Sequence, residues 1–451
     1  MFFVPVYILI LAFTIIVDYL AGILIEAAPQ NKKGIYLQLS LVANIGVLCV
    51  FKYYNFFTEN IEALFQSLNI HTYKFPFLSI LLPIGLSFHT FQAMSYTLEI
   101  YKGKQKAERH FGIYALYVMF FPQLVAGPIE RPQHLLSQFY INQKFEWSNI
   151  VKGLRLILMG LFKKIVIADQ INVLVSFVFD NPENSKGPSV YLALLFFVWQ
   201  VYCDFSGYSD IARGSAKLLG IDLMVNFDLP FFAKSFNSFW SKWHVSLMNW
   251  FRDYLLFPLI RKRWKWQLVF LFVFLISGFW HGANWTFIAW GVYNGIIVIY
   301  TKATSDYRKE LINKTWLKNY SSIRHIIQAI CIYHLFAFGG FFFRSKNIHD
   351  SYILFLNMFT DVGDSLSKIW HNPNNMRQNL LYLGTDFTTF TVLILFVAAF
   401  FYFEWKLRNT TLDEYLERVP QVMRFGIYFF AAFSIMLMSN IVETPFVYFQ
   451  F

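Results

Sequence analysis

The sequence predicts an all-α integral membrane protein, and both composition and patterning support this fold class. Of the 451 residues, 57% are hydrophobic and 14% are charged, whereas soluble domains carry about 25% charged residues. The apolar residues form long runs, such as 4–25 and 391–403 with its flanks, and a spanning helix needs about 20 of them. Glycine and proline also occur inside these runs, which lipid tolerates where other helices or a lined cavity satisfy the backbone. We therefore predict a compact helical bundle around a cavity.

The apolar runs predict about 9–12 transmembrane or re-entrant helices. They cover approximately residues 3–25, 35–57, 76–100, 111–127, 151–179, 189–203, 245–259, 267–300, 325–343, 385–404 and 424–440. Pro83 and Pro122 break two of these segments, and charged residues interrupt a third, among them Arg155, Lys163, Lys164 and Asp169. We interpret the interrupted segments as partly re-entrant or interfacial helices.

The net charge of +11 comes from short basic clusters between the apolar runs. Lys32 and Lys33 are separated from the basic cluster at 102–109 by two apolar segments, so both clusters should lie on one side of the membrane. The positive-inside rule makes that side cytoplasmic, with the N-terminus outside and the basic run 261–265 cytoplasmic as well. The basic residues lie in loops between membrane segments and do not form a basic face on a soluble domain. We therefore expect no binding of nucleic acid.

One stretch that can carry chemistry runs from Asn237 to Asp253, where basic, acidic, imidazole and hydroxyl groups converge within about four helical turns. On a continuous helix, Trp240 and His244 would lie one turn apart on the same face, and Asn237 would extend that face. This face could place an imidazole beside an aromatic wall. The alternative is a helix at the membrane interface, where tryptophan and charged residues act as anchors.

A second stretch places His281 inside an otherwise apolar run from Leu268 to Tyr300. An ionisable residue in the membrane interior is expensive and indicates a functional site by default. Gly278 and Gly282 flank the histidine, which allows another backbone or a substrate to approach. Burial should keep the imidazole neutral near pH 7, the state that a general base requires. The alternative is a hydrogen bond that joins two helices.

Upstream of both histidines, Asp204 and Asp210 lie six residues apart in an apolar setting. They are expected to pair with Arg213, Lys217 or Arg252, or to orient a histidine through its second ring nitrogen. Structural pairing is the favoured interpretation for both carboxylates.

No metal centre or soluble domain is predicted. Neither His244 nor His281 has a neighbour at HxxxH, HxH or HExxH spacing, and the three cysteines lie in apolar stretches without CxxC spacing. No internal repeat is visible. We therefore predict a single membrane domain over 1–451, with a core that bears the motifs at about 80–300 and C-terminal helices at about 325–451.

Several segments of the chain carry a resemblance to a known family. They are Phe120-Phe-Pro-Gln-Leu-Val-Ala-Gly-Pro-Ile129, Asp204-Phe-Ser-Gly-Tyr-Ser-Asp-Ile211, Phe239-Trp-Ser-Lys-Trp-His-Val-Ser-Leu247, Phe251-Arg-Asp-Tyr254 and Gly278-Phe-Trp-His-Gly-Ala-Asn-Trp285. Together they resemble the membrane-bound O-acyltransferase family, most closely its branch of bacterial alginate O-acetyltransferases. The C-terminal Pro445–Phe451 is similar to the ending of that branch.

The resemblance implies a ring of helices around a central funnel or tunnel, with His281 as the invariant family histidine and His244 as the second catalytic histidine. We expect these residues to contact substrate: Trp243, Trp280, Asn284, Trp285, Asp204 and Tyr208. Two departures from the family pattern leave both histidines untouched. The Pro-Leu-Gly-Gly turn of the family is replaced after Pro258-Leu by Ile260-Arg-Lys-Arg263, and Ser241-Lys242 stands where the branch has two arginines.

The resemblance also implies an activity, which is the transfer of an acetyl group to an exported or cell-surface polysaccharide. The donor would be a cytoplasmic thioester, either acetyl-CoA or an acyl carrier, with no permanently bound cofactor. The other expected partners are membrane lipid and an extracytoplasmic acetyltransferase that completes the transfer, and the expected location is the bacterial cytoplasmic membrane. The alternatives are D-alanyl transfer toward teichoic acid from a carrier protein, and a membrane transporter, because transporters also have broken helices and buried polar residues.

Overall fold

A computed structural model describes residues 7–70, 74–79, 85–371, 380–439 and 445–446. Every regular element in these ranges is helical. The contacts divide the chain into two compact units, Met1–Ile150 with Ser215–Met224 and Val151–Gly214 with Val225–Phe451. The predicted break at Pro83 and most of the C-terminal motif, 447–451, lie outside the described residues. The expectation of one membrane domain stays a prediction.

The first unit contains seven of the described helices. They are α1 (Tyr7–Ala27), α2 (Lys33–Leu48), α3 (Tyr54–Ser67), α4 (Leu86–Tyr101), α5 (Phe111–Met119), α6 (Phe121–Leu124) and α7 (Pro132–Leu135). A π-helical turn over Cys49–Tyr53 joins α2 to α3, so 33–67 form one continuous helical run. Pro122 lies in the first turn of α6, where a missing backbone N–H does no harm. The predicted break at this proline is confirmed.

The two basic clusters of the first unit lie at the same end of it. The Arg109 guanidinium forms an ion pair with the carboxylate of Glu26, which also accepts a hydrogen bond from the backbone N–H of Ala107 at 3.3 Å. Glu26 is next to the last residue of α1, and Lys32 and Lys33 follow within two helical turns of chain. The C-terminal end of α1 and the chain just before α5 therefore lie close together, and the side of the membrane on which the two clusters lie stays a prediction.

The second unit begins within α8. Its helices are α8 (Trp147–Leu161), α9 (Asp169–Phe179), α10 (Pro188–Leu218), α11 (Phe236–Trp240), α12 (Val245–Phe251), α13 (Phe257–Arg261), α14 (Trp266–His281), α15 (Trp285–Ala303), α16 (Ser305–Asn313), α17 (Ser321–Arg344), α18 (Ile348–Asn357), α19 (Val362–His371), α20 (Phe387–Leu407), α21 (Leu412–Arg418) and α22 (Gln421–Met438). The π-helical turn Phe162–Ala168 joins α8 to α9, and Arg252–Leu256 joins α12 to α13 in the same way.

Within the described residues, six helical stretches are long and apolar enough to cross a membrane. They are Tyr7–Ala27, Lys33–Ser67, Pro188–Leu218, Ser321–Arg344, Phe387–Leu407 and Gln421–Met438. The predicted all-helical membrane fold is thereby confirmed. α14 is apolar but has 16 residues, which span about 24 Å at 1.5 Å per residue. That is less than the hydrocarbon core of about 30 Å.

Glycine contacts hold α8 and α10 together. A Cβ atom at Gly160 would lie 2.5 Å from the carbonyl oxygen of Gly207, and one at Gly214 would lie 2.6 Å from the carbonyl oxygen of Gly153. Small residues at such positions let helix backbones approach closely in membranes. From one contact to the next, the residue number rises along α8 and falls along α10, so the two helices are antiparallel.

Ion pairs continue this contact beyond the glycines. The Lys163 ammonium lies 2.7 Å from a carboxylate oxygen of Asp210, and the Lys164 ammonium lies 2.7 Å from Asp169 and 2.7 Å from Asp204. Both lysines belong to the π-helical turn after α8. Charges that interrupt the apolar pattern therefore pair with one another, because an unpaired charge buried in this setting would be strongly unfavourable.

Candidate functional site

The candidate site is built on the hairpin of α14 and α15. A Cβ atom at Gly278 would lie 2.2 Å from the carbonyl oxygen of Phe287, and one at Gly291 would lie 2.4 Å from that of Phe274. The backbones of the two helices are therefore in contact. Of the two partners that the glycines beside His281 allowed, another backbone or a substrate, Gly278 meets a backbone. The prediction of one continuous segment over 267–300 is wrong, because these residues form two antiparallel helices.

The turn of this hairpin is fixed by Asn284. Gly282 leaves the helix in an extended conformation, and the Asn284 side chain caps α15 by accepting a hydrogen bond from the Thr286 backbone N–H at 3.0 Å. Its amide group donates to the backbone oxygen of Lys346 at 2.9 Å. Both ends of the Asn284 side chain are thus engaged in holding the hairpin turn, a structural role that the sequence did not predict.

His281 is the last residue of α14 and is 6% exposed. Its imidazole contacts three aromatic rings. The centroid distances are 5.0 Å to Trp280, 5.0 Å to Trp290 and 5.2 Å to Phe343, and all three rings meet the imidazole edge to face. The end of a helix and an aromatic enclosure therefore define the position of this histidine.

A small cavity adjoins His281, and its lining includes Trp243, Trp290, Phe336 and Gly340. Its volume is about 20 Å³, enough for roughly one water molecule. Trp243, predicted to contact substrate, therefore shares a cavity with the predicted base.

His244 lies in a turn and not inside a helix, so the shared face that a continuous helix over 237–253 would give is not present. α11 ends at Trp240, and His244 has a φ of +47° before α12 starts at Val245. A non-glycine residue in this left-handed region is uncommon and persists where its surroundings hold it. Trp240 and His244 consequently do not share a helix face.

Hydrogen bonds and aromatic contacts hold the His244 ring. Its Nδ1 atom lies 3.2 Å from Oδ1 of Asn226, and the ring of Phe205 meets it edge to face with centroids 4.5 Å apart. The residue is 2% exposed and lies outside the six stretches that could span a membrane. Burial lowers the pKa of His244 to about 3, so the imidazole is neutral at physiological pH.

Trp280 connects the two histidines. Its ring centroid lies 5.0 Å from that of His281 and 6.1 Å from that of His244, and it is 4% exposed. The structure therefore brings together three of the predicted site residues, with the Trp280 indole in contact with both imidazoles. Although 37 positions separate the two histidines in the sequence, they belong to one buried cluster.

Asp204 and Tyr208 lie on α10. The Asp204 carboxylate is 2.7 Å from the Lys164 ammonium, and Tyr208 packs against Phe446 with ring centroids 5.0 Å apart. Lys164 was not among the predicted partners of Asp204. For Asp210, the predicted contact with Arg213 is present at 3.4 Å beside the shorter one to Lys163. Pairing in the fold, the favoured interpretation for both carboxylates, agrees with these contacts.

Trp285 differs from the other predicted tryptophans, since it is the first residue of α15 and is 54% exposed. Three residues that contact the histidines were not predicted. Asn226 contacts His244, whereas Trp290 and Phe343 contact His281. In a chain with 54 phenylalanines and 13 tryptophans, no sequence signal selects the rings that meet one imidazole. Asn226 lies 18 residues before His244, too far for helix periodicity to indicate a contact.

A larger cavity of about 400 Å³ lies elsewhere in the second unit. It is lined almost entirely by apolar side chains of α8 and α20–α22, with Arg155 and Tyr428 as its main polar members. None of the predicted site residues lines it. The volume of this cavity therefore does not single out the predicted site residues.

Comparison with known proteins gives consistent matches. The model of the MBOAT, membrane-bound O-acyltransferase family, matches residues 110–344. The chain is 31% identical to a peptidoglycan O-acetyltransferase of Helicobacter pylori over 86% of this chain and 79% of the relative. It is 31% identical to the probable alginate O-acetylase AlgI of Azotobacter vinelandii over 85% and 74%, and 25% identical to a teichoic acid D-alanyltransferase of Bacillus subtilis over 59% and 69%.

Proposed function

This chain belongs to the membrane-bound O-acyltransferase family, and we propose that it transfers an acetyl group from a thioester to hydroxyl groups of a cell-surface polysaccharide. The family assignment makes it an O-acyltransferase. Acetyl is the proposed group because relatives named as O-acetyltransferases and O-acetylases match over most of the chain at about 31% identity. The match to the D-alanyltransferase is weaker in identity and in coverage.

The observation that carries the proposal is the buried cluster of His281, Trp280 and His244. A thioester carbonyl is open to attack, and the missing element is a base that makes a hydroxyl more nucleophilic. In the proposed mechanism, the hydroxyl oxygen attacks the carbonyl carbon while His281 takes the hydroxyl proton. The C–S bond then breaks, and the proton passes from His281 to the leaving thiolate. The products are an O-acetyl ester and a free thiol.

The remaining site residues have supporting roles in this proposal. Trp243 lines the cavity beside His281, and Trp280 packs against both histidines. In this proposal both tryptophans contact the substrate, while His244 orients the acceptor or stabilises the oxyanion. Asp204 and Tyr208 hold α10 in position through their contacts with Lys164 and Phe446. Asn284 holds the hairpin turn, and Trp285 is the weakest candidate for substrate contact because more than half of it is exposed.

The proposed route starts at a cytoplasmic donor, either acetyl-CoA or an acyl carrier thioester, and ends at the polysaccharide directly or through an extracytoplasmic partner. The proposed location is the bacterial cytoplasmic membrane, with membrane lipid around the spanning helices. The shared end of the two basic clusters supports this orientation, because basic loops favour the cytoplasmic side. The central funnel implied by family resemblance would join the two sides.

The test uses membrane vesicles from a bacterial host that lacks its own glycan O-acetylation, with the full chain as wild type, His281→Ala or His349→Ala. His349 is an exposed histidine outside the site and serves as the matched control. Vesicles receive labelled acetyl-CoA, a labelled acetyl carrier thioester or a labelled D-alanyl carrier thioester, together with the host's surface glycan. Label in glycan esters is then measured.

We expect acetyl transfer by wild type and His349→Ala, and a fall of about 10²–10⁴-fold in His281→Ala at equal protein level. Full activity of His281→Ala would remove the proposed base. Transfer of D-alanine without acetyl would replace the proposed substrate, and solute movement without any acyl transfer would favour a transporter.

A further inference from the structure

Asn226 is an asparagine with 1% exposure whose side chain lies at the His244 turn. Its Oδ1 atom is within hydrogen-bond distance of three groups: Nδ1 of His244 at 3.2 Å, the backbone N–H of Ser246 at 3.2 Å and the Ser246 hydroxyl at 2.9 Å. Its backbone oxygen accepts from the Val245 N–H at 2.9 Å. One residue therefore binds three consecutive positions around the left-handed backbone of His244.

These contacts define which amide atom faces the turn. A backbone N–H can only donate, so the Asn226 atom that faces Ser246 must be the carbonyl oxygen and not the NH₂ group. On the other side, the Asn226 NH₂ group donates to the hydroxyl of Ser209 at 3.4 Å. The orientation of the amide thus follows from its neighbours.

The same logic extends to the imidazole. An oxygen that accepts hydrogen bonds can contact Nδ1 of His244 favourably only if Nδ1 carries a proton. In a neutral imidazole one nitrogen carries the proton and the other is an acceptor. A neutral His244 with a proton on Nδ1 therefore has its lone pair on Nε2.

We propose that Asn226 is a positioning residue that fixes His244 as the Nδ1–H tautomer, so that Nε2 accepts a hydrogen bond from an O–H or N–H group of the substrate. The inference rests on the proposed acyl transfer and deepens it. Asn226 itself does not touch the reacting atoms and acts through His244.

This assignment decides between two roles for His244. Stabilising an oxyanion requires a donor, and a neutral imidazole whose single N–H is directed to Asn226 has none left to offer. Orienting a substrate through one of its hydrogen-bond donors requires an acceptor, which Nε2 supplies. His244 therefore orients the substrate, and the oxyanion is stabilised by other groups.

The direct test is the ¹⁵N NMR spectrum of the full chain in lipid nanodiscs, with histidine as the labelled residue. His244→Gln identifies the His244 signals by their loss. We expect the wild-type spectrum to show His244 protonated at Nδ1 and unprotonated at Nε2. Protonation at Nε2 in wild type would overturn the proposal without reference to any enzymatic activity.

Variants of Asn226 then test its role. Asn226→Ala should release the tautomer, so that Nε2–H signal appears, and raise KM for one substrate by about tenfold or more. A rise for the glycan assigns the hydrogen bond to an acceptor hydroxyl, and a rise for the thioester assigns it to the donor. Asn226→Asp keeps an acceptor for Nδ1–H and should restore the wild-type tautomer and KM.

Asn294→Ala is the matched control, because Asn294 is also fully buried and its NH₂ group donates to a backbone oxygen of its own helix at 2.8 Å. This control should leave the His244 tautomer and both KM values within about twofold of wild type. An equal effect of the two alanine variants would mean that Asn226 supports only the fold.

A double-mutant cycle shows whether Asn226 acts through His244. In a His244→Gln background, Asn226→Ala should change KM no further. An equal additional loss in that background would overturn the proposal. If the tautomer is as expected but wild-type vesicles transfer no acyl group, the proposed function fails while the positioning of His244 stands.

Discussion

The two histidines of the site are held in place by different kinds of interaction. His281 ends a helix and packs against the rings of Trp280, Trp290 and Phe343. His244 occupies a left-handed turn, and its ring nitrogen contacts the side chain of Asn226. Packing and close helix contact position the first histidine, whereas hydrogen bonds around an unusual backbone conformation position the second.

Because of this difference, we expect the two histidines to respond differently to substitution. A packed position tolerates changes that preserve volume and fails when helices are forced apart. A position held by hydrogen bonds fails when a buried partner is removed, because the remaining polar atom loses its interaction without regaining water.

The largest difference is expected from the same substitution at both positions. Glutamine cannot replace an imidazole base, so His281→Gln should lower kcat for acetyl transfer by about 10²–10⁴-fold. At His244, the glutamine side-chain oxygen still accepts a hydrogen bond, and the expected loss is about tenfold. Rates in vesicles at equal protein level measure both. Equal losses would contradict the division of roles.

The next effect concerns the hairpin that carries His281. Gly278→Ala places a Cβ atom 2.2 Å from the Phe287 carbonyl oxygen, and such overpacking lowers the free energy of unfolding by about 1–3 kcal/mol or more. At Gly426 in α22 an added Cβ meets no heavy atom within 4 Å, so alanine should stabilise by about 0.5–1 kcal/mol. The melting temperatures of the two purified alanine variants, measured at one scan rate, test this difference in stability. An equal change of melting temperature in both variants would contradict the close contact at Gly278.

A smaller effect separates two predicted tryptophans. Trp280→Phe removes part of the ring between the two imidazoles and should lower kcat/KM for acetyl transfer by about three- to tenfold through lost packing. Trp285→Phe changes a side chain that is 54% exposed and should stay within about twofold. A larger loss for Trp285→Phe would return that residue to the substrate site.

The last effect is a pH dependence, which concerns stability and not the rate of transfer. In the unfolded chain His244 binds a proton below its usual pKa of 6.5, whereas burial holds the folded pKa near 3. The unfolded state therefore takes up more protons as pH falls from about 6.5 to 3, and the folded state loses stability in that window. The melting temperature of wild type should fall more between about pH 7.5 and pH 5 than that of His244→Gln. Identical falls would place the His244 pKa near its usual value.

Much of the helical architecture could be predicted because long apolar runs leave lipid-facing helices as the simplest solution. The segments at 325–343 and 385–404 became α17 and α20 with ends displaced by a few residues. Family membership, the membrane fold and the acyltransferase class are confirmed, whereas the roles of individual site residues remain predictions.

The His244 turn could not be predicted for a physical reason. Helix periodicity assumes continuous helical backbone, but the chain leaves the helix after Trp240 because Asn226, 18 residues earlier, binds the turn at His244. Likewise, Asp204 pairs with Lys164, 40 residues away, and not with the nearer Arg213. Contacts of this length depend on how helices pack, which local pattern does not encode.

The glycine contacts between α8 and α10 have a consequence for how this chain can vary in length. Both contacts recur after seven residues on each helix, Gly153 to Gly160 and Gly207 to Gly214, and the pairs of Lys163 and Lys164 extend the same alignment. One residue inserted between Gly153 and Gly160 would rotate the part of α8 beyond it by about 100°, which would remove the contact at Gly160 and the charge pairs of Lys163 and Lys164 together. Insertions and deletions in this part of the chain should therefore be tolerated in the connection at 180–187 and rejected between the paired glycines.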